Sequence, residues 1–125
     1  MQACGERDDV AICELVLVEF YVLLRNPQIL KVPMSAEEAA ATCQGYRNNP
    51  HWRLLEQAPV MRRVWPLAAR ADVARRRIFD LRLAFTLLHH GVTEFATANT
   101  KDFTDLGFSR VWDPTSSADQ AKIQP

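Results

Sequence analysis

The chain has no net charge: its fifteen Lys and Arg residues balance fifteen Asp and Glu. Overall charge therefore selects no class of partner, neither nucleic acid nor an anionic surface. Cysteine is scarce and unpatterned, with Cys4, Cys13 and Cys43 giving an odd number and no C-x-x-C spacing. This argues against a disulfide framework or a cysteine zinc site, and reduced thiols in a cytoplasmic protein are expected. The start is polar and charged (Gln2, Glu6, Arg7, Asp8, Asp9), unlike a secretory signal. The longest apolar run, Leu15 to Leu24, is broken by Glu19 and is too short to span a bilayer. No internal repeat is present.

What is there is enough apolar material for a core. Nearly half of the 125 residues are hydrophobic, and one domain is the natural expectation at this length. Val10 to Cys13 is short, apolar and β-prone, and reads as a strand. "ELVLVEFYVLLRNP" predicts a helix from about Glu14 to Arg25, apolar on nearly every side and ended by Pro27. Ser35 with Glu38 three residues on forms a capping box before a helix that stops at Asn48-Asn49-Pro50. "WRLLEQA" reads as a short strand. Pro59 suits the first turn of a following helix, which Pro66 kinks or ends.

The clearest helix is "RRIFDLRLAFTLLHHG", with Gly91 as its stop. "TEFATA" and "FSRVW" read as strands, and Thr115 to Pro125 as a disordered tail. Alternation of strands and helices argues for an α/β fold with a mostly parallel sheet. Ligands of such sheets bind beyond the carboxyl ends of the strands.

Acids placed there attract attention. Glu19 interrupts an apolar helix. Asp80 sits early in its helix among Ile78, Phe79, Leu81 and Phe85. Asn99 and Asp102 follow the strand Thr93–Ala98. Carboxylates that converge repel each other, and a hard dication such as Mg²⁺ or Mn²⁺ relieves this with oxygen ligands. Spacing alone leaves the bland readings open: Asp80 as a cap, or as the partner of Arg76 or Arg77, and Glu19 as the partner of Arg25. From Arg62 to Arg82 there are seven arginines against Asp72 and Asp80, a local excess that suits a phosphate backbone or, equally, a solvated helix surface. His89-His90 suits a helix C-terminus better than a ligand pair, because adjacent helical side chains diverge by about 100°. Glu14 complements a helix start, and Trp52, Trp65 and Trp112 read as packing anchors.

Three stretches, "ELVLVEFYVLLRNP", "ARRRIFDLRLAFTLLHHGVTEFATANTKDF" and "GFSRVWDP", together resemble the PIN-domain family, specifically its VapC-like toxin ribonucleases of bacterial toxin–antitoxin pairs. The second is the most specific: an acid early in a helix, then His-His-Gly-Val, then a strand ending Thr-x-Asn-x-x-Asp-Phe. The likeness runs from about Val10 to Pro114. It implies a three-layer α/β sandwich with a mostly parallel sheet, and Mg²⁺- or Mn²⁺-dependent cleavage of RNA in the cytoplasm. Glu19, Asp80, Asp102 and Asn99 would be both catalytic and metal-holding, with Thr97 a polar helper. Arg75, Arg76, Arg77 and Arg82 would guide RNA. A cognate antitoxin and a homodimer are the implied partners.

Family members begin with a strand that ends in an aspartate, and no such segment is present here. Asp8 and Asp9 stand at the start of a strand and do not take that role. The resemblance thus implies a PIN-like domain over 1–114 that lacks its first strand. It leaves three functions: a metal-dependent endoribonuclease toxin; an inactive remnant that binds only an antitoxin or another PIN chain; or an unrelated α/β domain whose acids are structural.

Overall fold

The computed structural model describes residues 7–115; Cys4 and all of the expected tail after Thr115 lie outside them. The described chain is mixed α/β, with four helices and two pairs of parallel strands. It divides between Gln57 and Ala58 into two compact units.

In the N-terminal unit, β1 (Val10–Cys13) runs directly into α1 (Glu14–Leu24), then come α2 (Ala36–Arg47) and β2 (Trp52–Leu55). β1 and β2 are parallel, with Val10 opposite Trp52 and Cys13 opposite Leu55. The two helices form the crossover that a parallel pair requires. Ser35 caps α2 as its sequence announces: its hydroxyl accepts from the Glu38 N–H, and the Glu38 carboxylate accepts from the Ser35 N–H. Between α1 and α2, the Cys43 thiol donates to the Leu17 carbonyl at 3.6 Å and the Arg47 guanidinium pairs with Glu14 at 2.9 Å. Ile12, Cys13, Leu17, Leu24, Ala39 and Leu55 are buried.

α1 is not buried all round. Val18 and Val22 are 59% and 58% exposed, one turn apart on the same face. An apolar composition with no polar stripe says how much can be buried but not which side is.

The C-terminal unit holds α3 (Met61–Ala68), α4 (Arg77–His89), β3 (Glu94–Ala96) and β4 (Arg110–Trp112). Its core gathers Ala58, Val60, Val64, Leu81 and Phe85, with Met61, Leu67, Ile78, Leu88 and Leu106 packed against them. Pro59 precedes the Val60 N-cap instead of opening α3, and Pro66 sits inside the helix two residues before its end. In so short a helix, Pro66 costs little: there is no long ladder beyond it to break. Trp65 is 59% exposed, so it is not the anchor its size suggested. Trp52 stacks on Tyr46, and Trp112 lies under Arg110.

Gly91 ends α4 with φ +84°, a left-handed conformation that favours glycine. The Gly91 N–H donates to the Leu88 carbonyl and the Val92 N–H to the Leu87 carbonyl, which satisfies two of the last orphan acceptors. The chain then enters β3, parallel to β4 with Phe95 opposite Val111. No described helix is long and apolar enough to cross a membrane.

Candidate functional site

Asp80 lies in the first turn of α4, on its partly buried side. No strand precedes this helix; the chain reaches it through turns after α3. Asp102 closes a short 3-10 helix, Thr100–Asp102, just beyond β3. That helix is built locally. Thr97 continues the ladder by donating its N–H to the Trp112 carbonyl at 2.8 Å. Its hydroxyl then accepts from the Asn99 N–H at 3.2 Å, which turns the chain out of the strand. The Asn99 carbonyl accepts from the Asp102 N–H at 3.1 Å. Below it, Phe103 is buried and meets Phe95 edge to face with ring centres 4.7 Å apart.

These two elements bring Asp80 and Asp102 within electrostatic reach. Partial burial pushes the Asp80 carboxyl above its ordinary value. The Arg77 charge opposes that push, and the negative charge of Asp102 adds to it. Arg77 stands between the two acids. Its guanidinium lies 3.7 Å from the Asp80 carboxylate and donates to the backbone carbonyl of Asp102. Sequence spacing allowed this contact, because residues three apart share a helix face, but it allowed Arg76 at four residues equally. What it could not show is the second tie, from the same guanidinium to the strand-end turn.

The remaining candidates separate. Asn99 is in place beside Asp102, with its side chain exposed. Glu19 lies in the N-terminal unit, exposed on α1, and has no ion-pair partner among the described residues. Arg25 donates instead to the Tyr21 hydroxyl at 3.0 Å. Asp8 pairs with His51 and Asp9 with Arg7. The rings of His89 and His90 meet edge to face, with centres 5.3 Å apart.

The arginines divide by role. Arg75 is exposed. Arg76 and Arg82 lie 5.2 and 5.7 Å from the ring centre of Phe79, which is itself 44% exposed. The Nε of Arg82 is buried without a hydrogen-bond partner. Arg63 covers Phe85 at 4.3 Å, spending its stem on the core. Of these arginines, Arg77 is the one drawn into the acids.

The donor chemistry decides whether a metal ion fits. No three His, Cys, Asp or Glu residues gather as a metal-binding group among the described residues. Asp80 and Asp102 do offer two partly exposed carboxylates, with the Asn99 amide nearby. Mg²⁺ keeps much of its water and is commonly held by one or two carboxylates. The pair fits such a hydrated, hard dication.

Two curated proteins match the chain: Ribonuclease VapC24 of Mycobacterium tuberculosis, strains CDC 1551 / Oshkosh and ATCC 25618 / H37Rv. Each is 61% identical over 114 residues, which cover 91% of this chain and 79% of the relative. No protein-family model matches.

Proposed function

This chain belongs to the VapC-like toxin ribonucleases of the PIN-domain family, and on that premise we propose that it is a metal-dependent endoribonuclease toxin that hydrolyses RNA phosphodiester bonds in the cytoplasm. The observation that carries the reading within this chain is that Arg77 ties together Asp80 and Asp102, two acids from separate elements of one unit. Asp80 is paired with Arg77, yet the negative charge of Asp102 still bears on it, and acids set against each other favour a cation between them. The two parallel pairs, β1 with β2 and β3 with β4, each within its own unit, support an α/β fold with parallel pairing.

In this reading Asp80 and Asp102 hold a Mg²⁺ or Mn²⁺ ion, with Asn99 as a further oxygen donor. Glu19 is the additional acid that the family resemblance assigns to the same duty. The chemistry that such an ion would supply is polarisation of a phosphate and activation of water. The chain's own residues do the rest. The Thr97–Asn99 turn and the buried Phe103 ring fix the Asp102 backbone. The first turn of α4 fixes Asp80. Arg75 and Arg76, exposed at the head of α4, meet the RNA backbone, and Arg82 flanks the same surface. The family relation supports a cognate antitoxin and a homodimer as protein partners.

The test is cleavage of a fluorescent RNA with Mn²⁺ by the chain, Asp80→Ala and Asp102→Ala. Mn²⁺-dependent cleavage, lost in both variants, supports the reading. Cleavage that survives both substitutions in nuclease-free preparations sinks it. Capture of an antitoxin with no cleavage under any metal would make the chain a binding protein only.

A further inference from the structure

A metal site that starts empty leaves like charges facing each other, and a chain that folds before it is loaded must balance them. One cation, Arg77, is paired with the Asp80 carboxylate and tied to the backbone of Asp102. Arg77 reaches the Asp80 carboxylate from one turn away, and its guanidinium also donates to the Asp102 carbonyl, so a single side chain spans the two elements that carry the acids. The other arginines of the run are engaged differently: Arg76 and Arg82 on Phe79, Arg75 in solvent.

We propose that Arg77 is the resident counter-ion of Asp80 and, through the Asp102 carbonyl, holds the two acids in register in the unloaded chain, so that a divalent cation must displace its charge to bind. The inference rests on the metal-site reading above and gives Arg77 a duty different from guiding RNA. Arg77 is a positioning residue that acts through the two acids. Three consequences follow from its geometry. Its charge opposes the cation, so it weakens metal binding. Its bond to the Asp102 carbonyl ties the 3-10 helix to α4, so it keeps the acids together while no ion does. Loading with metal loosens the Arg77–Asp80 pair, because cation and guanidinium compete for the same carboxylate.

The experiment is a calorimetric titration of Mn²⁺ into the full chain, Arg77→Gln, Arg77→Lys and Asp80→Asn. A unit charge acting on a dication across about 5 Å of water-like dielectric is worth roughly a tenfold change in affinity, so Arg77→Gln should bind Mn²⁺ about tenfold more tightly. Arg77→Lys keeps the charge and should stay within about twofold of the parent. Asp80→Asn should bind far more weakly than the parent. If Asp80→Asn binds as the parent does, the metal-site reading itself fails. If Asp80→Asn loses binding while Arg77→Gln is no tighter than the parent, only the role of Arg77 fails.

A measurement on the unaltered chain covers the case in which Arg77→Gln does not fold. The Arg77 Nη–H resonances should shift, and exchange faster with water, as Mg²⁺ saturates the site. A resonance that stays put at saturation overturns the proposal.

Discussion

Phe103→Ala links packing to chemistry most directly. The Phe103 ring is 4% exposed and follows Asp102 immediately, so it anchors the 3-10 helix from beneath. Truncating a buried phenylalanine to alanine costs about 3–5 kcal/mol through lost burial and the cavity left behind. The edge-to-face contact with Phe95, centres 4.7 Å apart at 81°, accounts for about 0.5–1.5 kcal/mol of that. Each kcal/mol lowers the melting temperature of a chain this long by about 3–5 °C, so Phe103→Ala should melt roughly 10–20 °C below the parent. Phe103→Leu, which keeps most of the apolar volume, should lose less than half as much. At a temperature where both variants are fully folded, Mn²⁺ affinity should still be weaker in Phe103→Ala, because Asp102 has lost its footing. The assay is a thermal melt followed by calorimetry on the folded protein. A melting temperature within about 3 °C of the parent would refute the reasoning, since no well-packed ring can be lost so cheaply.

The remaining expectations follow from single features. Gly91→Ala places a Cβ that meets nothing within 4 Å, so its cost is backbone strain at φ +84° alone, about 1 kcal/mol by chemical denaturation; an unchanged midpoint would contradict the left-handed cap. Ser35→Ala removes one half of the capping box and should cost about 1 kcal/mol, with far-ultraviolet dichroism showing whether the α2 start frays. Asp80 binds its proton more tightly folded than unfolded, so its contribution to metal-free stability is fully present below the unfolded carboxylate value and is lost as pH rises through the folded one. The stability of Asp80→Asn relative to the parent should therefore rise as pH climbs from below the ordinary carboxylate value to above it, and a flat or falling difference would contradict the partial burial of Asp80.

Much of the fold was legible because its signals are local. The Ser35–Glu38 box, the Gly91 stop and the apolar runs at Val10 and Trp52 act through neighbours in the chain, and each element stands where they put it. The misreadings concern what only tertiary packing decides. α1 carries no polar stripe to mark its solvent face, so Val18 and Val22 gave no hint of exposure. Nothing near Trp65 in sequence says that its side of α3 is left uncovered. Pro59 fits a first helical turn as well as it fits the residue before a cap, and the Val60 backbone makes the choice.

The site divides along the same line. Asp80 and Asp102 could be picked out because their neighbours are apolar or strand-like, and a carboxylate in that setting demands a reason. Arg77 could be named only as one of several bases in reach. Its function depends on a turn twenty-five residues away, and that turn is shaped by one hydroxyl, Thr97, and one ring, Phe103. Here charge and packing constrain each other. The guanidinium offsets the charge of Asp80, and it can also reach the Asp102 carbonyl because the turn is pinned to β3 and β4. Moving Thr97 or Phe103 would therefore act on the charge balance as well as on stability. Substitutions at these two positions should change Mn²⁺ affinity without touching a single metal-facing oxygen, an effect that an argument from the acids alone would not anticipate.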